Sequence, residues 1–472
     1  MPVSIYSFAL SLFHSFAMKK TVVIDVVGLS YSLISEHTPF LKNWMATKNR
    51  ATINPMLPAV TTSVQSTYIT GKWPTEHGIV GNGWYDHTDA EIKFWKQSNH
   101  LVKAEKIWER ARKVDPTFTV SKMFWWYNMY SSADYSVTPR PQYLADGRKM
   151  PDCYSQPADL RDRLQAELGT FPLFQFWGPG ANIVSTRWIA DASLLVDKWH
   201  DPTLTLIYLP HLDYCLQKFG GQDLAKIAPE LKQIDDVCRD LITHYEKVGA
   251  EVMVLSEYGI TPVSRPVHIN RVLREADLIQ VRVERGLELL DAGASRAFAV
   301  SDHQVAHVYV NDPALLPKVR ALCEKTPGVE LVLDREQQKA YHIDHERAGD
   351  LVLMADADSW FTYYYWLDDR VAPDFARLVD IHRKPGYDPV EMFMDPANPL
   401  IKLRAGYKLL RKKLGFRYLM DVIPLDATII RGSHGRVGTA PEFHPVLIGN
   451  SVGTKPVSAV EVYDKIWAAL GT

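Results

Sequence analysis

Short apolar runs that lead into polar residues alternate with segments of helical periodicity along most of the chain. Because turn residues bound these runs, four of them predict buried central strands. The alternation of strands and helices predicts a three-layer α/β/α sandwich around a mostly parallel sheet. Ligands of such sheets bind beyond the carboxyl ends of the strands. The predicted strands are Thr21–Val27, Thr203–Leu209, Glu251–Leu255 and Asp426–Ile430.

The pattern changes after residue 295. Leu224–Val248 has the long amphipathic spacing of a helix of the core, whereas residues 296–350 alternate short strands with the shorter helix Pro313–Lys325. This arrangement is typical of a small α+β insertion. We therefore predict a core formed by residues 18–295 and 421–472, and a cap or insertion region at 296–420.

Residues 1–17 are apolar and aromatic and contain neither Lys nor Arg. A secretory signal has a positive segment before its apolar stretch, and seventeen residues are short for a membrane span. We predict that 1–17 is a non-native or leader-like extension before Met18. No other stretch approaches a membrane helix, so we predict no transmembrane anchor.

The bulk composition narrows the class of protein. The formal net charge is −2, and 46% of the residues are hydrophobic, which is typical of a globular protein and gives no nucleic-acid footprint. The four cysteines are widely separated and form no CxxC motif. This pattern argues against a disulfide framework or a cysteine-ligated zinc, and a cytoplasmic localisation follows as the simpler expectation.

Candidate chemistry lies at the ends of the predicted strands. Asp25 ends the first strand, and a Pro-Ala-Val-Thr-Thr-Ser segment then opens a predicted helix that leads to Thr70-Gly71 and His77-Gly78. Later strands lead into Asp213, into Ser256-Glu257-Tyr258-Gly259, and into Gly432-Ser433-His434-Gly435. Hydroxyl, carboxylate and imidazole groups in this order resemble the alkaline phosphatase superfamily, and its nucleotide pyrophosphatase/phosphodiesterase branch in particular.

The resemblance implies two divalent metal ions, zinc in the family, around a threonine nucleophile. Counting back from Thr70-Gly71, it assigns the nucleophile to Thr61, with Thr62 as the fallback. Asp25 and Thr61 correspond to ligands of one metal, and Asp213 and His434 to ligands of the other.

Three positions depart from the family pattern. Gln217 stands where the family has a His, and Glu257 and Tyr258 replace the Asp and His of a Ser-Asp-His-Gly motif. The ligand set therefore loses two imidazoles and becomes rich in oxygen. Such a set shifts the expected metal toward manganese, magnesium, calcium or iron.

Other residues are candidates for contacts with substrate or an additional metal. Asn82 follows the His-Gly motif, and His303 and His382 lie in segments dense in potential ligands. Arg140 follows an aromatic cluster that fits either core packing or a stacking platform beside a phosphate-binding arginine. The basic run from Lys402 to Arg417 is typical of a solvated helix face.

Together these features predict a metal-dependent hydrolase of phosphodiester, pyrophosphate or phosphonate-type bonds. Its substrate would be a small phosphorylated molecule, and the reaction would pass through a covalent phospho-threonine. No cysteine stands at the Thr61 position, which disfavours a sulfatase. The alternative is a metal-poor, catalytically silent binding protein on the same scaffold.

Overall fold

A computed structural model describes residues 18–471 of the 472-residue chain. Its centre is a mixed sheet of nine strands. The four neighbouring pairings from Glu251–Leu255 across to Tyr135–Pro139 are all parallel. In spatial order the strands are Val457–Ser458, Asn49–Asn54, Val446–Gly449, Glu251–Leu255, Thr21–Val26, Leu204–Leu209, Val120–Met123, Tyr135–Pro139 and Cys153–Gln156.

Helices cover both faces of this sheet, and two apolar clusters of buried residues, one on each side, form the core. The central strands Thr21–Val26 and Leu204–Leu209 are buried at every position, as expected for strands covered on both faces. The α-helices are Pro39–Met45, Thr61–Thr70, Pro74–His77, Ile107–Val114, Ala158–Leu168, Leu173–Phe176, Ile183–His200, His211–Phe219, Leu224–Lys247, Ile269–Glu275, Leu316–Glu324, Arg335–Gln338, Ile401–Lys413 and Glu461–Ala469.

A second, four-stranded antiparallel sheet lies within residues 297–355. Its first two strands are joined by a turn at His303-Gln304, where His303 has a left-handed φ of 60°. The Gln304 amide donates to the His434 carbonyl over 2.9 Å, so this turn contacts the central core. The strands in spatial order are Ala297–Asp302, Val305–Val310, Leu351–Ala355 and Val329–Leu333.

Five two-stranded pairs complete the β-structure of residues 18–471. They are Gly83–Asp86 with Glu91–Phe94, Gln142–Tyr143 with Lys149–Met150, Thr261–Pro262 with Gly432–Ser433, Arg265–Val267 with Ser359–Phe361, and Gln280–Glu284 with Leu287–Asp291.

The predicted α/β sandwich is confirmed, and three of the four predicted central strands occur within one residue of their predicted bounds. The prediction of a strand at Asp426–Ile430 is wrong. There the Asp426 carboxylate accepts hydrogen bonds from the Thr428 amide and hydroxyl, which stabilises a single 3-10 turn at Ala427–Ile429 in place of strand pairing. The strand that carries the following motif is the short Gly432–Ser433.

The division into a core and a cap at 296–420 stays a prediction. The predicted extension 1–17 lies outside the described residues. No helix within residues 18–471 is long and apolar enough to cross a membrane.

Candidate active site

Two buried carboxylates lie at the carboxyl ends of adjacent parallel strands. Asp25 is paired in register with Leu255 of the neighbouring strand, and Glu257 follows two residues later. Both side chains are almost completely buried. Burial, and then the charge of Glu257, raises the pKa of Asp25 well above its usual range. Within residues 18–471, neither Asp25 carboxylate oxygen has a hydrogen-bond partner, and neither does Glu257 Oε2.

Gln65 fixes the other oxygen of Glu257. Its Nε2 donates to Glu257 Oε1 over 2.5 Å, and its Oε1 accepts from the Trp126 amide over 2.7 Å. Gln65 lies four residues after Thr61 on the helix Thr61–Thr70, so both side chains lie on the same face. The sequence analysis missed Gln65, although this spacing identifies it.

The Thr61 hydroxyl begins a chain of hydrogen bonds. Thr61 Oγ1 lies 3.0 Å from the Tyr258 hydroxyl, which in turn donates to Asp213 Oδ1 over 3.4 Å. Tyr258 has a single proton, so when it donates to Asp213 it must accept from Thr61. Burial raises the pKa of Asp213 to about 7. The structure thus brings Thr61, Tyr258 and Asp213 together.

Thr62, the fallback nucleophile, is engaged differently. Its hydroxyl donates to the Gly81 carbonyl over 2.8 Å, and its amide donates to Asn82 Oδ1 over 3.1 Å. Asn82 also donates through its amide and Nδ2 to the two carboxylate oxygens of Asp302, over 2.8 and 3.1 Å. Asn82 therefore connects the start of the Thr61–Thr70 helix to the second sheet.

His434 presents a free nitrogen. Its Nδ1 donates to the Ala59 carbonyl over 2.7 Å, which leaves Nε2 unprotonated in the neutral ring. That Nε2 is buried, has no hydrogen-bond partner in the described part of the chain, and lies 3.7 Å from Asp213 Oδ1. Burial lowers the pKa of His434 to about 3, so the ring is neutral, as a metal ligand requires.

Four aromatic rings form a stacked column through the site. The centroid of the His434 ring lies 3.5 Å from the centroid of the Tyr258 ring and 3.7 Å from that of the His303 ring. The His303 centroid lies 3.7 Å from the centroid of the Tyr387 ring. The turn of the second sheet thus places His303 directly against a predicted ligand. Tyr387, which belongs to the ligand-rich segment around His382, was not singled out from the sequence.

Gln217 bridges this column and Asp213. Its Nε2 donates to Asp213 Oδ2 over 2.8 Å, and its Oε1 accepts from the Tyr387 hydroxyl over 3.0 Å. The carbonyl oxygen, which is the atom a cation would need, is therefore already engaged. This geometry suits a residue that holds Asp213 in place.

Arg140 and His382 form a separate cluster. The Arg140 guanidinium lies 3.1 Å from the Met129 sulfur, and His382 Nδ1 donates to the Phe94 carbonyl over 3.3 Å. Burial lowers the pKa of His382, and Lys149, Lys96 and Arg140 lower it further. Within residues 18–471 neither side chain makes a hydrogen bond or ring contact with the seven predicted metal ligands.

The donor atoms fit a cation incompletely. One observation favours a cation: the buried carboxylates of Asp25, Asp213 and Glu257 have no Lys or Arg partner among the described residues. Buried negative charges require a positive counterion, which a metal ion would provide. Against the zinc arrangement of the family, no group of three or more His, Cys, Asp or Glu in the described part of the chain is placed to hold one metal. The set therefore suits an oxygen-preferring cation that would also use Thr61 or Tyr258.

Comparison with known proteins identifies relatives of this chain. A yeast protein (Saccharomyces cerevisiae) named ectonucleotide pyrophosphatase/phosphodiesterase 2 is 23% identical in an alignment 388 residues long, gaps included, that covers 74% of this chain and 67% of the yeast protein. Three solved structures share the fold at lower identity. Human ectonucleotide pyrophosphatase/phosphodiesterase 5 has a TM-score of 0.59 at 14% identity, over 96% of this chain and 95% of the human chain.

The other two structures are the murine counterpart of that protein and a bacterial enzyme. The murine protein has a TM-score of 0.56 at 13% identity, over 96% of this chain and 95% of its own. Phosphonoacetate hydrolase from Sinorhizobium meliloti 1021, in complex with phosphonoformate, has a TM-score of 0.58 at 14% identity, over 96% of both chains.

The sequence profile of one family decides the assignment. The profile described as type I phosphodiesterase / nucleotide pyrophosphatase matches residues 21–388, which include every predicted ligand except His434. The resemblance inferred from the motifs and the prediction of a phosphodiesterase-like hydrolase are thereby confirmed. The chain belongs to the type I phosphodiesterase / nucleotide pyrophosphatase family.

Proposed function

We propose that the chain hydrolyses phosphodiester, pyrophosphate or phosphonate-type bonds of a small phosphorylated substrate, with Thr61 as the nucleophile. The observation that carries this proposal is the hydrogen-bond chain from Thr61 through Tyr258 to Asp213. It leaves a lone pair of the Thr61 oxygen available for phosphorus and gives the proton of the hydroxyl a path to a carboxylate. The Thr62 hydroxyl, by contrast, is bound to a backbone carbonyl.

In the first step, Thr61 Oγ1 bonds to phosphorus while the bond from phosphorus to the leaving oxygen breaks. The Thr61 proton passes to the Tyr258 oxygen, and the Tyr258 proton passes to Asp213. The leaving oxygen departs as an anion and takes its proton from solvent. In the second step, water attacks phosphorus and releases one proton to solvent, the bond to Thr61 breaks, and the proton held by Asp213 returns through Tyr258 to the Thr61 oxygen. Thr61 is the first residue of its helix, where the positive end of the helix dipole would stabilise the phosphoryl oxygens.

Two pairs of residues would hold divalent cations: Asp25 with Glu257, and Asp213 with His434. Their unpartnered buried atoms support this assignment, and Thr61 or Tyr258 would add oxygen. A bound cation would neutralise charge on the phosphoryl group and lower the proton affinity of the Thr61 hydroxyl. The family implies zinc, whereas this donor set favours manganese, magnesium, calcium or iron.

The related structures support the substrate class. The murine relative has also been solved as a threonine-to-alanine variant, described as inactive, in complex with AMP. The bacterial relative is named for the hydrolysis of a phosphonate and was solved with phosphonoformate. The cytoplasmic localisation stays a prediction, since the yeast relative is named an ectoenzyme.

One observation favours the silent binding protein as a second candidate. Gln65 and Gln217 each donate an amide hydrogen bond to a buried carboxylate. Together with the absence of a three-residue ligand group within residues 18–471, these bonds allow the site to remain folded without a cation. In that case the scaffold would bind a phosphorylated molecule without cleaving it.

Turnover of bis(4-nitrophenyl) phosphate and of an aryl phosphonate ester, with Mg²⁺, Mn²⁺, Ca²⁺, Fe²⁺ or Zn²⁺, tests the proposal. Thr61→Ala should lower kcat by about 10³-fold or more, while Thr62→Ala should retain most activity. Mass spectrometry of acid-quenched wild type should find the phosphoryl group on the peptide that contains Thr61. Full activity of Thr61→Ala would refute the nucleophile, and no turnover by wild type with any cation would favour the silent scaffold.

A further inference from the structure

The helix Ile401–Lys413 exposes an apolar stripe to solvent. Only Ile401 and Ala405 are buried, and they lie on the side that packs against the protein. The exposed stripe follows the helical spacing of three and four residues, and its most exposed residue, Leu403, is 72% exposed. The stripe consists of Leu400, Leu403, Tyr407, Leu410 and Leu414.

Exposed apolar side chains continue beyond the helix. Phe416 and Leu419 are more than half exposed, and Phe174 of a neighbouring short helix is half exposed. Lys412 lies over the Phe174 ring at 5.2 Å from its centroid, so Phe174 adjoins the same surface. Large apolar residues that cluster in this way at a surface mark an interaction site.

Positive charge accompanies the stripe. Residues 400–420 contain seven Lys and Arg and no Asp or Glu, in a chain whose net charge is −2. Arg404 and Lys408 are paired with Asp421. Lys412 lies over an aromatic ring. The other four cations of this segment make no ion pair within residues 18–471; they are Lys402, Arg411, Lys413 and Arg417. We call this helix surface, with its stripe and these four cations, the basic apolar face.

We propose that the basic apolar face docks on an anionic lipid bilayer, with the helix lying in the plane of the membrane surface. An apolar stripe flanked by Lys and Arg is the pattern of helices that bind at the lipid interface, where the leucines enter the acyl boundary and the cations meet the lipid phosphates. The helix has 13 residues, too few to span a bilayer.

The charges favour a lipid surface over two other partners for the basic apolar face, a second copy of the chain and a nucleic acid. A second copy of the chain would place four unpaired cations against four like charges, which repel one another. Nucleic acid would meet the cations but leave the exposed leucines in water, since its interfaces are polar. An anionic lipid surface satisfies both the leucines and the cations.

Sedimentation of the full chain with vesicles tests the proposal. Wild type should bind phosphatidylcholine vesicles that contain a third phosphatidylglycerol, bind pure phosphatidylcholine about tenfold more weakly, and detach as NaCl is raised, because salt screens the attraction. The triple variant Leu403→Ser, Leu410→Ser, Leu414→Ser should lose at least about tenfold in affinity. Val283→Ser, at a 67% exposed site on a hairpin, should bind like wild type.

Each variant should keep the wild-type melting temperature, because the substituted side chains are exposed or, at Arg411, partly exposed. The charge variant Lys402→Glu, Arg411→Glu, Lys413→Glu should lose binding to anionic vesicles while remaining folded. Failure of wild type to bind these vesicles, or unchanged binding by the triple variant, would overturn the proposal. So would a wild-type dimer in sedimentation equilibrium that the triple variant dissociates, with no vesicle binding, or a preference for an oligonucleotide over the vesicles.

Discussion

Replacement of Tyr258 by Phe removes a single oxygen from the centre of the proposed site. That oxygen lies 3.0 Å from Thr61 Oγ1 and 3.4 Å from Asp213 Oδ1, whereas the ring, stacked at 3.5 Å on His434, stays in place. A hydrogen bond to a charged group contributes about 1.5–3 kcal/mol. If these hydrogen bonds orient Thr61 in the transition state, kcat/KM of Tyr258→Phe should fall about 10- to 150-fold.

The measurement is the rate of bis(4-nitrophenyl) phosphate hydrolysis under the cation that supports wild-type activity, with kcat and KM determined separately. The loss should appear in kcat, because the bond acts on the attacking oxygen and not on the bound substrate. Tyr363→Phe is the matched control: it deletes an equally buried phenol oxygen that has no hydrogen-bond partner among residues 18–471. A value of kcat/KM for Tyr258→Phe within threefold of the Tyr363→Phe value would refute the hydrogen-bond chain.

Two further predictions concern stability. Lys384 is buried between Asp388 and Glu391 at 2.7 and 2.8 Å; Lys384→Met should cost about 3–5 kcal/mol at pH 8, or about 3–5 °C in the melting temperature of a chain this long. Burial raises the pKa of Asp388 while Lys384 opposes that rise. A buried carboxylate with a raised folded-state pKa destabilises the fold only while it is charged, so the stability lost in Lys384→Met should become smaller as the pH falls toward 5. An equal loss of stability at pH 8 and pH 5 contradicts this. Mn²⁺ or Mg²⁺ at about 100 times its dissociation constant should add about 2.7 kcal/mol for each site that it fills, or about 3 °C. The double variant Asp25→Asn, Glu257→Gln should lose only the contribution of its own site, and the remaining shift should vanish when Asp213→Asn is added. No shift of wild type with any divalent cation contradicts the cation sites.

The sequence was sufficient for the fold and for residues whose position follows from strand order. Asp25 and Glu257 meet because parallel strands end at one edge of the sheet, a relation that the apolar runs already contain. The contact of His303 with His434 could not be predicted, since it depends on how a turn 131 positions earlier in the chain folds back onto the core. Local pattern carries no information on such docking.

The orientation of amide side chains could not be predicted from the sequence either. Gln217 occupies the position of a family ligand, yet its carbonyl faces the Tyr387 hydroxyl and its amide faces Asp213. Which end of an amide faces a carboxylate depends on the complete set of neighbours, and Tyr387 lies 170 residues away. The basic run after Lys402 shows a related limit: its charge predicts a solvated face, and only its packing shows that five apolar residues share that face.

The column of four rings restricts substitution at its own positions. Because the centroids of neighbouring rings among Tyr258, His434, His303 and Tyr387 lie 3.5–3.7 Å apart, the size of each ring determines where the next one can pack. An imidazole at position 258 would be smaller than the phenol and would leave a gap beside His434. An engineered return to the family's imidazole at this position would therefore require a second, larger side chain in the column.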